Sequence, residues 1–247
     1  MSYKICITGD SWGCGEWTFT KEHGYTVTHF GLEHFFRYPI YGSNVASYQV
    51  VNVSRPGSDN LSSVTRLIPE LEIQDFQFIF WFASEPLRQI ERSGLDGNVL
   101  DSFNRIGVDY QAISHISYDN ILDWNRRFMI ESLHKANELG KKIYCIGSTT
   151  KLDESLFNQF PNLVCYVPSL AEFLYNDFKH PKIWQSRWLD YIEDKLTVET
   201  LDKFVEDKKV QDSLHDKKYA DLFFPDGQHP NRFGFKLLYD KIVKELF

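Results

Sequence analysis

Long apolar stretches are absent from this sequence of 247 residues. No segment approaches the roughly eighteen consecutive apolar residues that indicate a membrane-spanning helix. The first residues, Met1 to Lys4, lead directly into a strand-like segment and show no apolar core of the kind found in secretory signal peptides. We therefore expect a soluble, cytoplasmic protein without a membrane span.

Basic residues are too few to balance the acidic ones. The chain has 27 Lys and Arg against 34 Asp and Glu, which gives a formal net charge of −7. Nonspecific binding to nucleic acid depends on a basic surface that releases counterions from the phosphates. The charge balance therefore argues against nucleic acid as a partner.

Cysteine is also scarce, with four residues and no C-x-x-C pair of the kind that binds zinc. Cys6, Cys145 and Cys165 each lie inside an apolar, strand-like segment, which favours free buried thiols over a disulfide framework. The three histidines between residues 23 and 34 do not follow the spacing of a metal motif such as H-E-x-x-H. We expect neither a metal nor another cofactor.

Short apolar segments are what the sequence does contain. They predict five buried strands, at residues 3–8, 48–53, 76–82, 142–147 and 163–167. Apolar residues at helical spacing predict helices that begin at residues 58–60, at Ile121 and, for the last one, at Pro230. Residues 12–41 are interpreted as loop, apart from a short helix at 31–36. Short strands alternating with helices indicate a parallel sheet that is covered on both faces.

Two long segments interrupt this alternation. Residues 87–120 are polar, contain several glycines and show no clear period, which is typical of a lid or an insertion rather than a simple connection. Residues 168–222 are rich in aromatic and charged side chains, with helices predicted at 170–178 and 197–209. We predict a single domain over residues 1–247, in which both insertions shape a pocket or make the contacts of a homo-oligomer.

A serine follows the first predicted strand, in the segment Gly9-Asp10-Ser11-Trp12-Gly13. Open α/β sheets bind their ligands at the carboxyl ends of strands, so Ser11 is a candidate nucleophile. The segment matches the G-x-S-x-G pattern, after which an acid and then a histidine follow in α/β-hydrolases. Cys14 is an alternative nucleophile, although a small residue in a crowded turn explains it better. A dinucleotide-binding interpretation lacks the third glycine that it needs.

A second motif precedes the last predicted helix, in the segment Pro225-Asp226-Gly227-Gln228-His229-Pro230. The Pro-Asp-Gly sequence favours a turn, and Pro230 suits the first position of a helix, so His229 lies near the helix start. The Asp226 carboxylate can reach Nδ1 of His229, which would leave Nε2 to accept a proton. A capping turn without catalytic function is the alternative.

Together, the Gly-Asp-Ser and Asp-x-x-His-Pro motifs resemble those of the SGNH (GDSL-type) hydrolases. The resemblance implies a three-layer α/β/α fold with a five-stranded parallel sheet of the flavodoxin-like kind. It also implies cleavage of acyl, acetyl-sugar or lipid esters without a cofactor. By this resemblance, Ser11 is the nucleophile, His229 the general base and Asp226 the acid that orients it. The short spacing from Asp226 to His229 argues against the α/β-hydrolases proper.

The resemblance implies an oxyanion hole made of the serine N–H, a glycine after the second strand and an asparagine after the third. Gly57 stands where the glycine is expected. The third position departs from the pattern, because Ala83-Ser84-Glu85-Pro86 contains no asparagine. Ser84 and Asn60 are the alternative donors. One oxyanion donor contributes about 2.7–4 kcal/mol to transition-state stabilisation.

The sequence thus predicts a serine esterase or deacylase that works through an acyl-enzyme on Ser11. An acyltransferase with the same triad is one alternative, since it differs only in the acceptor of the acyl group. A catalytically weak or inactive SGNH-like module for binding or assembly is another, because the expected asparagine is missing.

Overall fold

The computed structural model describes residues 2–20, 23–38, 47–84, 107, 118–148, 151–177 and 229–247. Asp226, the helix predicted at 197–209 and most of the two predicted insertions at 87–120 and 168–222 lie outside the described residues. The chain divides into two compact units, one made of Met1–Gly13 and Gln49–Ser169, the other of Cys14–Tyr48 and Leu170–Phe247. The single domain stays a prediction, and each unit is described by itself.

The described strands and helices follow one another in chain order. They are β1 (Ser2–Gly9), α1 (Ser11–Cys14), β2 (Glu16–Thr20), β3 (Gly24–His29), α2 (Gly31–Arg37), β4 (Ser47–Asn52), α3 (Asn60–Thr65), α4 (Leu67–Ile73), β5 (Phe78–Ala83), α5 (Tyr118–Glu138), β6 (Ile143–Gly147), α6 (Glu154–Phe157), β7 (Leu163–Val167), α7 (Leu170–Asp177) and α8 (Arg232–Leu246). All five predicted core strands are present within two residues of their predicted bounds. Among the described residues, no helix has both the length and the apolar character needed to cross a membrane.

The main sheet has five strands in the order β4-β1-β5-β6-β7. The pairs β1–β5, β5–β6 and β6–β7 are parallel. Beyond β4, the N–H of Val53 donates to Ile7 and the N–H of Arg55 donates to Gly9, so this segment runs in the same direction as β1. This is the strand order of flavodoxin-like doubly wound folds, and it confirms the predicted fold class.

Both faces of the sheet are buried, because successive side chains of a strand point to opposite faces. On one face, Cys6, Trp81 and Cys145 belong to a core that includes Val64 of α3 and Leu133 of α5. The opposite face is also apolar and buried, with Ile5, Ile7, Phe80, Phe82 and Ile146. A sheet buried on both faces is the central layer of a three-layer α/β/α arrangement.

The helix predicted from residues 58–60 begins as expected but divides into α3 and α4. The Asp59 carboxylate caps α3 by accepting the N–H of Ser62 at 2.7 Å. The division falls at Arg66, because Pro69 has no N–H to donate to the carbonyl of Thr65. The sequence interpretation overlooked this effect of Pro69.

The interpretation of residues 12–41 as mostly loop was wrong. β2 and β3 form a two-stranded antiparallel sheet, and α2 follows it close to the predicted position. Threonines alternate with Trp17 and Phe19 in β2 and with Tyr25 and Val27 in β3, and β-branched and aromatic residues favour strands. The scattered glycines concealed this pattern.

The last helix begins at Arg232, so the prediction that Pro230 is its first residue was wrong. The Asn231 side chain accepts the N–H of Gly234 at 3.2 Å and thereby caps α8. Within the second unit, α8 packs against α2, where the ring of Tyr239 meets the ring of Phe36 edge to face. Asn231 therefore fixes the start of the helix, and His229 lies two residues before Asn231.

Candidate active site

Ser11 is the first residue of α1 and follows β1 after a single residue. Only 5 % of the surface of Ser11 is exposed to solvent. Gly9, which ends β1, has φ = 149°, and a Cβ at this position would lie 2.5 Å from the carbonyl oxygen of Phe82. Only glycine therefore lets the chain turn so close to β5 before it presents Ser11.

Asp10 holds the turn that carries Ser11. Its Oδ1 accepts the N–H of Trp12 at 2.9 Å, and its carbonyl accepts the N–H of Gly13 at 3.1 Å. Asp10 is completely buried. An aspartate that bonds to the backbone two residues on is a common way of stabilising a turn. The aspartate of the Gly-Asp-Ser motif thus fixes the backbone on either side of Ser11.

Asn52 supports the same turn from the end of β4. Its Nδ2 donates to the carbonyl of Gly13 at 3.0 Å, and its Oδ1 accepts the N–H of Ser54 at 3.0 Å. The sequence analysis did not identify Asn52, although asparagine is rare in strands and its place at a strand end was a usable signal.

Arg66 joins the carboxyl ends of β1 and β4. Its Nη2 donates to the carbonyl of Gly9 at 2.9 Å, and its Nε donates to the carbonyl of Val53 at 2.8 Å. Both carbonyls lie at the edge of the sheet from which the Ser11 turn departs. Nothing in the local sequence around Arg66 predicts this contact, because it depends on the pairing of distant strands.

Ser84 emerges at the same edge of the sheet as Ser11. Gly9 of β1 is paired with Phe82 of β5, and each of the two serines lies two residues beyond its member of that pair. Parallel strands end at a common edge, so the pairing brings the two segments together there.

The Asn60 side chain binds the backbone of Ser84 at both of its polar groups. Oδ1 of Asn60 accepts the N–H of Ser84 at 2.8 Å, and Nδ2 donates to the carbonyl of Ser84 at 3.2 Å. The Ser84 Oγ is buried and has no hydrogen-bond partner within the part of the chain that the structure describes. Of the two predicted oxyanion donors, Asn60 thus holds the backbone, and Ser84 keeps a hydroxyl available.

Gly57 lies in the turn that follows β4. The N–H of Ser58 donates to the carbonyl of Arg55 at 3.2 Å, and Gly57 has φ = 71°. A glycine with positive φ is what the third position of a type II turn requires. The turn therefore explains the residue type, and donation by the Gly57 N–H to an oxyanion stays a prediction.

His229 lies in the second unit, where its residue surface is 5 % exposed. Its ring centroid is 5.4 Å from that of Trp17, with an angle of 36° between the ring planes. Trp17 is itself buried and lies in β2. Ser11 belongs to the first unit, and Asp226 lies outside the described residues, so the triad stays a prediction.

Glu16 and Arg232 form an ion pair in the second unit. Glu16 Oε2 accepts the Arg232 backbone N–H at 2.5 Å and its Nε at 3.0 Å, while Oε1 accepts its Nη2 at 2.9 Å. Thr28 Oγ1 also donates to Oε1 at 3.1 Å. Burial alone would raise the pKa of Glu16, but these hydrogen bonds and the Arg232 charge outweigh it and hold that pKa below its usual value.

The pair between Glu16 and Arg232 was not among the predicted contacts. The two residues are 216 positions apart, and neither belongs to a recognisable motif. A charged residue directly before a buried tryptophan at the start of a strand was the only local hint.

Two of the histidines near the start of the chain contact each other. The rings of His29 and His34 lie 4.2 Å apart, and His29 Nδ1 accepts the N–H of Gly31 at 3.1 Å. Burial, the neighbouring His34 and Arg232 lower the pKa of His29, against the opposing charge of Glu16. No group of three or more metal-binding side chains occurs among the described residues.

The four cysteines are free thiols. Cys6 and Cys145 are completely buried, as predicted, whereas Cys165 is only half-buried. Burial raises the pKa of Cys6 to about 12, and burial followed by the carboxylates of Glu154 and Asp153 raises that of Cys165 to about 12. Cys14, three residues from Ser11, is partly exposed.

The chain is similar to several solved structures. A psychrotrophic esterase from Pseudoalteromonas sp. is 13 % identical, with 99 % of this chain and 96 % of that one covered and a TM-score of 0.40. A lipase/acylhydrolase from Enterococcus faecalis is 16 % identical, with 99 % and 95 % covered and a TM-score of 0.41. A member of the lipolytic G-D-S-L family from Veillonella parvula is 11 % identical, with 100 % and 98 % covered and a TM-score of 0.38.

No family model matches the sequence, and no curated protein matches it.

Proposed function

We propose that the protein is a serine hydrolase that cleaves carboxylic esters through an acyl-enzyme on Ser11. The observation that carries the proposal is the placement of Ser11. It lies on a turn fixed by Gly9 and Asp10, at the carboxyl edge of a parallel sheet, and Ser84, whose hydroxyl is buried, follows the neighbouring strand at the same edge. A nucleophile on a fixed turn and a buried donor at the same edge of the sheet are what acyl transfer needs.

In the proposed reaction, the Ser11 Oγ attacks the ester carbonyl carbon while Nε2 of His229 accepts its proton. The tetrahedral intermediate then collapses, and His229 returns the proton to the departing alcohol. Water, activated by the same histidine, attacks the acyl-enzyme and releases the carboxylic acid and the free serine. Asp226 orients His229 and stabilises the imidazolium.

The proposed oxyanion hole consists of the N–H groups of Ser11 and Gly57 and the hydroxyl of Ser84. The Ser84 hydroxyl supplies the donor that the expected asparagine would have given. A buried hydroxyl without a partner costs about 1–3 kcal/mol, so an oxyanion that accepts its hydrogen bond is stabilised relative to the empty site. Asn60 keeps Ser84 in place through its two bonds to the backbone.

A fluorophosphonate probe tests the proposal, because it phosphonylates only an activated serine. The wild-type protein should be labelled at Ser11, as located by peptide mass spectrometry, and the Ser11→Ala variant should not be. Ser132→Ala is the matched control, since Ser132 is also buried but donates to the carbonyl of Phe128 within α5. Absence of labelling in folded wild-type protein, or undiminished labelling of Ser11→Ala, would contradict the proposal.

Release of p-nitrophenol from short-chain acyl esters measures the complete reaction. Hydrolysis should proceed in water without an added acceptor. If the acyl group leaves the enzyme only when an alcohol acceptor is added, the protein is an acyltransferase. Comparison with acetylated sugars then distinguishes the ester classes.

A further inference from the structure

We infer that Glu16 is a positioning residue that sets the place of His229 through the first residue of α8. The inference rests on the proposed function, because it assigns Glu16 a role in the reaction only if His229 is the general base. In this assignment Glu16 acts through Arg232 and takes no direct part in the reaction. It acts on the chain segment from His229 to Arg232.

The contacts of Glu16 fix the backbone of that segment. One carboxylate oxygen accepts the backbone N–H of Arg232, three residues after His229, and both oxygens bind the Arg232 side chain. Hydrogen bonds to a charged acceptor are shorter and stronger than neutral ones, and the arginine fork also defines their direction. The C-terminal end of the segment is thereby held in one place.

The neighbouring residue acts on the other end of the segment. Trp17 follows Glu16 in β2, and its ring lies against the ring of His229. In the Glu16-Trp17 dipeptide, Glu16 therefore binds the start of α8, and Trp17 contacts the imidazole of His229.

The Glu16-Trp17 dipeptide begins β2 and is paired with β3, with a β-bulge between its two residues. A bulge changes the direction in which a side chain points, and Thr28 Oγ1 of β3 lies 3.1 Å from Oε1 of Glu16, to which it donates. A site held by strand residues is placed more precisely than one held by loops. A misplacement of about 1 Å in a catalytic group can lower the rate by about 10²-fold, so this support has a kinetic consequence.

Burial of the carboxylate distinguishes Glu16 from the other acidic partners of α8. Only 10 % of the Glu16 side chain is exposed, against 49 % of Arg232, whereas Asp240, which pairs with Lys236, is 52 % exposed. Exposed pairs on a helix surface contribute little, while hydrogen bonds to a charged acceptor are about twice as strong as neutral ones. Asp240→Asn is therefore the matched control for Glu16→Gln.

The test measures kcat and KM for p-nitrophenyl acetate together with the accessibility of His229. In Glu16→Gln, kcat should fall at least 10-fold with KM changed less than twofold. The carbethoxylation rate of His229 by diethylpyrocarbonate, followed by mass spectrometry, should rise at least fivefold. His134, an exposed residue of α5, should react at an unchanged rate. Asp240→Asn should alter none of these quantities.

A double-mutant cycle separates positioning from loss of fold. In the His229→Ala background, Glu16→Gln should leave the residual rate unchanged, because the residue through which it acts is gone. An equal loss of rate in both backgrounds would overturn the inference, as would an unchanged kcat and an unchanged His229 reactivity. Arg232→Ala, which leaves the backbone N–H to Glu16, should give a smaller effect in the same direction.

Failure of the proposed function is recognised separately. If the wild-type protein is not labelled at Ser11, the function proposal fails, and the carbethoxylation rates alone decide the structural part of the inference. A faster reaction of His229 in Glu16→Gln would then still show that Glu16 holds the segment, and an unchanged rate would refute it.

Discussion

At the scale of single residues, the residues around the Ser11 turn have two different roles. Asp10 and Gly9 shape the turn, whereas Ser84 offers a buried hydroxyl that no described residue uses. Shaping residues should affect stability when they are replaced. A donor reserved for the transition state should affect the rate instead.

Replacing Ser84 by alanine tests whether its hydroxyl is such a donor. We expect kcat for ester hydrolysis to fall about 10²–10³-fold, as is usual when an oxyanion donor is lost. The free energy of unfolding should not fall and should rise by up to about 1–3 kcal/mol, because the variant removes a buried hydroxyl that has no partner in the described protein. Steady-state kinetics and urea unfolding measure the two quantities. An unchanged kcat would exclude Ser84 from the oxyanion hole.

Asn60→Ala is the informative comparison for Ser84→Ala. It removes both bonds to the Ser84 backbone and leaves a buried N–H unpaired, so it should lower the free energy of unfolding by about 1–3 kcal/mol as well as the rate.

Replacing Gly9 by alanine tests how far this residue shapes the Ser11 turn. The positive φ costs about 1–3 kcal/mol for a residue with a side chain, and the clash with Phe82 adds about 1–3 kcal/mol. Urea unfolding should therefore show a loss of about 2–6 kcal/mol. Gly57→Ala provides the control, since its φ is also positive but nothing lies within 4 Å of the added carbon. It should cost only about 1–2 kcal/mol, and equal losses for both variants would contradict the steric argument.

At the scale of secondary structure elements, α8 is tied to β2 by one carboxylate. That connection depends on the ionised form of Glu16, whose pKa in the folded protein is lowered. A lowered folded-state pKa means that the stabilisation is complete above the ordinary glutamate value and is lost as the pH falls through the folded-state value.

The pH dependence of thermal unfolding tests this connection. Wild-type protein should have a higher Tm than Glu16→Gln by a constant amount above about pH 5, since the ordinary pKa of glutamate is about 4.3. The difference should shrink progressively as the pH falls below about 4. Asp240→Asn should follow the wild-type curve closely, because its ion pair is exposed. A difference between wild type and Glu16→Gln that persists unchanged to pH 2.5 would show that charge is not the cause.

At the scale of the whole molecule, the sequence predicted the core strands well and the second unit poorly. The strands of the main sheet are short apolar segments buried on both faces, as in Phe78–Ala83, and this pattern is local. In β3, Tyr25, Thr26 and Thr28 are exposed, and threonines alternate with the apolar residues, so the apolar content of this strand is low. Contacts such as that between Glu16 and Arg232 join distant parts of the chain, and no local pattern encodes them.

The candidate site follows the same division. Ser11 and His229 were identified because each belongs to a short motif, and Gly57 because it follows the second strand, where the resemblance implies a glycine. Their catalytic roles stay predictions. Asn52 and Arg66, which hold the Ser11 turn, were missed because their contacts depend on strand pairing.

Metal removal is a test for the complete protein. The proposed reaction uses only side-chain and backbone groups of the chain, so incubation with a chelator should leave the rate of ester hydrolysis within about twofold of the untreated rate. Dialysis against chelator-free buffer is the control for loss of protein. A rate that disappears with the chelator and returns with added Zn²⁺ or Mg²⁺ would refute the serine mechanism.

The burial of the cysteines has a practical consequence for the Ser11 turn. The thiolate is the nucleophile that reacts with alkylating reagents. Raised pKa values keep Cys6, Cys145 and Cys165 in the unreactive thiol form. Cys14, at the end of α1, is thus the natural place for a maleimide dye or a spin label in the unmodified sequence. A spectroscopic reporter would then sit three residues from the proposed nucleophile, where it can register acylation of Ser11 without any engineered cysteine.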